Sequence, residues 1–205
     1  MQDNVRRRLS TGFCSVLLGG VVAWQHAEAG ETPYGRTFNS PTNLNGVVVC
    51  GWVSFHSATG GVQFARLAGN QVAWGRTPLP AGTGIEFKRD GTPYWCFLGR
   101  NHEIKGHLFN GGGHNWMTGF YPNGELKSGG LVHVEVIDGI PCEAAAQGMW
   151  GKHPRTYFFE DGRLESAQVA ITFRHRGQVI EKGKRVVLKP DGSIESIRDQ
   201  SDSLR

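Results

Sequence analysis

No stretch of this chain reaches the roughly 18 consecutive apolar residues that a membrane-spanning helix requires, and no Gly-x-Ser-x-Gly turn is present to lift a serine nucleophile. Cysteine is scarce, at four residues in 205. No long run of charge of one sign occurs and nothing resembles a nucleic-acid module, so no nucleic-acid partner is expected. His102-Glu103 followed by His107 falls short of a zinc-protease pair. That site needs its two histidines four residues apart on one helix face, whereas here the gap is five and Gly106 and Gly111-Gly112-Gly113 break any helix. No cofactor is implied.

What the chain does have is glycine, 30 residues of it, with aromatics and β-branched residues scattered between. That composition suits many short strands joined by tight turns. Four stretches share one phrase: Phe87-Lys-Arg-Asp-Gly91, Phe120-Tyr-Pro-Asn-Gly124, Phe158-Phe-Glu-Asp-Gly162 and Leu188-Lys-Pro-Asp-Gly192. An apolar strand end running into Asp-Gly or Asn-Gly predicts a hairpin, because both turn residues tolerate positive φ. The phrases recur at intervals typical of arrays built from one supersecondary unit. Between them lie links that place a Gly shortly before a Pro, as in Val136-Ile-Asp-Gly139-Ile-Pro141-Cys. Ile104-Lys-Gly106 is the counterpart that lacks the Pro. The expected fold is all-β: repeated antiparallel β-hairpins in an extended twisted sheet or a β-solenoid-like array.

The ends read differently. Arg6, Arg7 and Arg8 precede an apolar stretch from Phe13 to Trp24, and Ala27-Glu28-Ala29 is a small-x-small cleavage site. Residues 1–29 are therefore expected to be a signal peptide, its export route left open by the partial twin-arginine pattern. Cys14 lies too early in the apolar stretch to be a lipoprotein anchor. Residues 30–46 are expected to be irregular, 47–197 to form the hairpin domain, and 198–205 to be a flexible tail. Val47–Phe55 and Val62–Leu67 are its first strands. Cys142-Glu-Ala-Ala-Ala-Gln147 has the composition for about one helical turn. No transmembrane segment is expected after cleavage.

Residues 1–29 hold three of the 22 Lys and Arg and two of the 18 Asp and Glu, leaving 19 basic and 16 acidic residues. One local cluster stands out: Arg174, Arg176, Lys182, Lys184 and Arg185, a solvated strand pair or a patch for an anionic surface such as lipid headgroups or polysaccharide. Cys50, Cys96 and Cys142 remain after cleavage, so a disulfide would leave one thiol over. Cys142 follows a Pro in a turn and is expected to be accessible. With His114 and His153 it forms the low-ranking catalytic candidate, a hydrolase or thiol site. Asp and Asn of the repeated phrases, and Glu160 with Asp161, are assigned to turn formation. The tryptophans beyond the leader fill the core or, where exposed, form a surface for sugars or lipid; Trp116 and Trp150 are the binding candidates, with Arg174, Arg176, Lys184 and Arg185.

Phe120-Tyr-Pro-Asn-Gly-Glu-Leu-Lys-Ser and Phe158-Phe-Glu-Asp-Gly-Arg-Leu-Glu-Ser resemble the bacterial MORN-like repeat, over roughly residues 64–195. The resemblance implies stacked β-hairpins and no shared catalytic residues, and some members are antitoxin-like or membrane-associating. The unequal unit lengths depart from its usual pattern. These readings together lead to an exported, periplasmic or secreted binding or scaffolding module whose partner is an envelope protein or a glycan, with membrane-surface contact as a further option. The alternatives are a periplasmic hydrolase or thiol enzyme, and an antitoxin-like protein.

Overall fold

In the computed structural model the residues described are 35–44, 46–56, 60–74, 77–113, 116–145 and 154–199. All of them lie in one compact unit, Glu31–Arg205. The segment expected to be a signal peptide lies outside the described residues, as do His114, Trp150, His153 and the end of the tail.

The described residues form strands and no helix. The chain enters on β1 (Gly35–Leu44) and then alternates long and short hairpins. The first long hairpin is β2 (Val47–Phe55) with β3 (Val62–Arg66), followed by the short pair β4 (Gln71–Trp74) and β5 (Thr77–Leu79). Next come β6 (Gly84–Phe87) with β7 (Pro93–Phe97), then the short β8 (His102–Ile104) with β9 (His107–Phe109). The third unit is β10 (Met117–Phe120) and β11 (Leu126–Gly129), with short β12 (Glu135–Ile137) and β13 (Ile140–Cys142). The fourth is β14 (Thr156–Phe158) and β15 (Leu164–Gln168), with short β16 (Phe173–His175) and β17 (Gln178–Ile180). A last long hairpin, β18 (Arg185–Leu188) with β19 (Ile194–Arg198), ends the array. The long hairpins and β1 make one 11-stranded antiparallel sheet, ordered β1-β2-β3-β6-β7-β10-β11-β14-β15-β18-β19 and not closed into a barrel. The short hairpins are four separate two-stranded sheets.

Two turn chemistries build this alternation. In each repeated phrase the turn closes as in Lys88–Thr92, where the Lys88 amide donates to the Thr92 carbonyl and the Gly91 amide to the Lys88 carbonyl, both at 2.9 Å. Only the glycines take positive φ, from +77° at Gly192 to +90° at Gly162. These are type I turns with a glycine bulge, not the two-residue type expected from Asp-Gly and Asn-Gly. The Asp or Asn keeps negative φ and accepts, through its side-chain oxygen, the amide two residues on: Asp90 from Thr92, Asn123 from Glu125, Asp161 from Arg163 and Asp191 from Ser193, all at 2.8–3.0 Å. The two-residue turns with positive φ at both positions sit in the short hairpins instead, at Lys105-Gly106, Asp138-Gly139 and Arg176-Gly177.

A second irregularity repeats. Each long hairpin accommodates one extra residue on its second strand. Phe87 faces Pro93 but Glu86 faces Trp95, leaving Tyr94 unpaired. Lys127, Glu165 and Glu195 are the same residue in the later units, and Gln63 in the first. Such bulges raise the local twist and re-aim side chains.

The core lies between the main sheet and the short hairpins. Leu79, Ile104, Phe109, Ile140, Cys142 and Ile180 come from the short hairpins and are at most 2% exposed; Ala65, Ile85, Cys96, Ala167 and Val186 from the sheet are 0–1% exposed. Phe109 lies directly on Gly129, where an added Cβ would stand 2.4 Å from its ring, and meets Phe158 edge-on at 6.2 Å.

Three expectations are corrected here. Residues 35–44 are a strand, because their backbone pairs with β2 from Gly35↔Ser54 to Leu44↔Val47. The alanine segment is not helical over Cys142–Ala145: the Glu143 amide donates to the Gln168 carbonyl of the next unit and that of Ala145 to the Leu131 carbonyl of its own. Strand structure continues to Arg198, the first residue assigned to the tail.

Candidate binding face

Strand alternation divides the main sheet into a core face and an opposite, open face. Register carries one continuous line across ten strands of the open face. It runs Ser54, Phe64, Glu86, Trp95, Gly119, Ser128, Tyr157, Ser166, Val187, Ser196, each paired with the next. Large residues in this line lie beside small ones, so their rings lie down across the neighbouring strand. A Cβ at Gly119 would stand 2.6 Å from the Trp95 ring, and one at Gly84 2.6 Å from Phe64; off this line, Trp52 covers Gly35 in the same way.

Arginines stack on this aromatic layer. The Arg155 guanidinium lies 5.2 Å from the Trp95 ring centre and that of Arg185 5.5 Å from Tyr157. Arg185 also donates to the Arg155 carbonyl at 3.1 Å and to Ser166 Oγ at 3.3 Å. Burial holds its pKa below the usual arginine value, with Tyr157 opposing, yet a guanidinium starts so far above neutrality that it stays cationic. Arg66 faces Gly84, and Arg198 faces Arg185 while bonding Ser196 Oγ at 3.1 Å. Among the described residues, none of these four arginines has a carboxylate partner. Tyr94, 44% exposed, meets Trp95 edge-on at 5.2 Å, and Trp52 is 53% exposed. The acids of this face sit apart from the arginines. Glu86 is in the central line, and Glu165 and Glu195 are bulge residues on the turn side. Burial raises the pKa of Glu165, Lys127 opposes that shift, and Glu195 adds to it.

Of the residues named from sequence, only Arg185 belongs to this face. Trp116 is buried, 9% exposed, against Gly113 and Gly130, so it cannot act as an exposed anchor; Trp150 lies outside the described residues. The basic cluster is split by the fold. Arg174 and Arg176 are carried by the β16–β17 hairpin, where Arg174 donates to the Gly177 carbonyl and Arg176 reaches the Gly192 turn. Lys184 is paired with Asp199 at 2.7 Å.

Cys142 is not an accessible thiol. It is fully buried, and its pKa is pushed up to about 12, chiefly by burial. Its partners in the catalytic candidate, His114 and His153, lie outside the described residues. Cys50, Cys96 and Cys142 are all free. His102 and His107 tie neighbouring hairpins together: His102 Nε2 donates to the Pro78 carbonyl at 2.9 Å, and His107 Nδ1 to Glu135 at 2.8 Å while stacking on Phe158. Among the described residues no three His, Cys, Asp or Glu side chains gather as a metal-ligand set.

Sequence reasoning covered Trp95 only as one of the tryptophans beyond the leader, and missed Tyr157, Arg155, Arg66 and Arg198. A usable signal existed: counted from the turn glycines, the open-face line falls five residues before and four after in all four phrases, at Glu86 and Trp95, Gly119 and Ser128, Tyr157 and Ser166, Val187 and Ser196.

No family model matches this chain, and no curated protein matches it. Among solved structures, the crystal structure of a GtfA/B complex bound to UDP and GlcNAc is similar over 86% of this chain, at 11% identity and a TM-score of 0.22. The chain spans only 29% of that chain. A likeness that low carries neither a fold assignment nor a ligand.

Proposed function

We propose that this protein is an exported cell-envelope binding or scaffolding module that works through the open face of its main sheet. The observation that carries the reading is the line of rings and unneutralised arginines around Trp95, Arg155, Tyr157 and Arg185. Stacked arginines with no carboxylate partner among the described residues are cations held in place, ready for an anionic or aromatic partner. The Trp95 ring beneath Arg155 lies against Gly119, so little side-chain entropy is lost on contact. The leader-like residues 1–29 support export, and the repeated Asn/Asp-Gly phrases support kinship with MORN-like repeats.

Co-sedimentation with isolated envelope material tests this. Wild-type protein pellets with the envelope, and the combined variant Trp95→Ala, Arg155→Gln, Tyr157→Ala, Arg185→Gln stays in solution with its β-sheet circular dichroism retained. Substitution of Val136 and Val179, exposed on short hairpins away from this face, leaves pelleting unchanged. Equal pelleting of wild type and the four-fold variant rejects the reading.

A further inference from the structure

We infer that the ligand of this face is an acidic glycan, lying across the strands along the Trp95–Tyr157 line with its carboxylates on Arg155 and Arg185. This rests on the binding-face reading above and narrows it to one chemistry.

Three features argue for it. The first is shape. Trp95 and Tyr157 lie on the same register line, three strand spacings apart along β7-β10-β11-β14, or roughly 14 Å at about 4.8 Å per strand. The interval between them is Gly119, across which the Trp95 ring lies, and Ser128, which is buried. A flat surface crossed by a long, straight line matches an extended polymer. Trp95 and Tyr157 are half-buried beneath Arg155 and Arg185, and the ring surface the guanidiniums leave open is apolar, as the C–H faces of sugar rings are.

The second feature is charge. Arg155 and Arg185 lie over the two rings, each with a guanidinium that no carboxylate among the described residues engages. A planar guanidinium fork fits a carboxylate with two parallel hydrogen bonds. Arg66 and Arg198 extend the cationic margin towards the two ends of the sheet.

The third feature separates a glycan from a nucleic acid. Glu86 occupies the line between Phe64 and Trp95, and Glu165 and Glu195 border it. A phosphate backbone, charged about every 3.4 Å per strand, would be repelled at each of them. An acidic glycan carries its charge at wider intervals and has hydroxyls between, which donate hydrogen bonds to these carboxylates.

Isothermal titration and affinity electrophoresis with polygalacturonate test the inference, with its methyl ester as the same backbone without charge and duplex DNA as a polyanion without sugar faces. The expected result is binding of polygalacturonate at physiological salt, at least tenfold weaker binding of the ester, and no saturable binding of DNA. Trp95→Ala and Arg155→Gln each weaken polygalacturonate binding by roughly tenfold, the order of one desolvated cation–π partner. Arg155→Lys recovers only part, because an ammonium cannot make the two-pronged contact. Equal binding of ester and acid overturns the role of the arginines. Equal binding of DNA, or binding insensitive to Trp95→Ala, reduces the interaction to charge alone and overturns the inference. Absence of glycan binding, with envelope pelleting still lost in the four-fold variant, rejects the acidic glycan and leaves the binding face standing. Absence of both rejects the two together.

Discussion

At the scale of single residues, this protein spends its glycines on contact as much as on turns. Gly129 admits the Phe109 ring and Gly119 admits Trp95, one on each face of the sheet. Both are close approaches of a ring to backbone, which a Cβ would block. Gly129→Ala is expected to cost about 1–3 kcal/mol through overpacking, read as a lower urea midpoint at unchanged slope; an unchanged midpoint would show that Phe109 has room to shift. The thiols make a second residue-scale case. Cys142, with its pKa pushed up to about 12, and Cys96, raised further by complete burial, stay protonated well above neutrality. Iodoacetamide at pH 8 is expected to leave both unmodified in the native protein and to alkylate both in urea, followed by peptide mass spectrometry. The linkage has a definite sign: a thiol whose folded pKa is raised contributes its full stability below the unfolded value of 9.0 and loses it as pH rises from there through about 12. The urea midpoint is therefore expected to fall as pH rises from about 9 towards about 12, the window those two values set.

At the scale of the element, the short hairpins are the fold's fasteners. Three of the four reach the long hairpin that follows, and the first sends the Thr77 hydroxyl to the Gly124 carbonyl of the β10–β11 turn. Lys105 pairs with Glu125, Asp138 Oδ2 accepts the Leu164 amide at 2.8 Å, and Arg176 meets the Gly192 turn. Long turns also bond one another in sequence: Tyr121 Oη to the Phe158 carbonyl, Asn123 Nδ2 to Glu160, and Arg163 to the Pro190 carbonyl. Asp138 does two jobs, holding φ at +50° and capping the start of β15. Asp138→Ala is expected to destabilise by about 1–3 kcal/mol, since it leaves a part-buried amide without its acceptor and places a Cβ-bearing residue in a conformation where Asp and Asn are favoured. Asp138→Asn keeps both features and is expected to cost little. A thermal melt of the pair separates the two; equal losses would mean that charge, not the turn, matters at this position.

At the scale of the whole described unit, contacts run mainly between successive units, as in a quasi-one-dimensional array. Removing the last long hairpin by ending the chain after Ile180 strips β15 of its partner β18 and opens Ala167 to water. The shortened protein is expected to keep a β-sheet spectrum and unfold at lower urea, by sequential loss from the cut end. Complete loss of the spectrum would show that the array folds as one indivisible body. Exposed edges are guarded: β1 carries Pro41, and β19 carries Glu195 and Arg198, charges and a proline that discourage pairing with a second copy.

Local chemistry decides what neighbours in sequence can decide between themselves. The Asp/Asn-Gly phrases state a hairpin because turn and strand ends lie within five residues, and the all-β array follows from their repetition. Val47–Phe55 is legible as a strand for the same reason, through its own apolar content. The turn type is not legible, because Asp-Gly serves both a bulged type I turn and a two-residue turn, and the neighbouring strand twist selects between them. β1 is not legible either: Thr, Asn and Ser become a strand only once β2 supplies the partner. The binding face is wholly a matter of tertiary structure. Trp95 and Arg155 are 60 positions apart in sequence and meet because the register across β7, β10, β11 and β14 places them on one face. Trp116 and Cys142, which composition alone marks as functional, are taken by the core, where burial outweighs any residue's intrinsic chemistry.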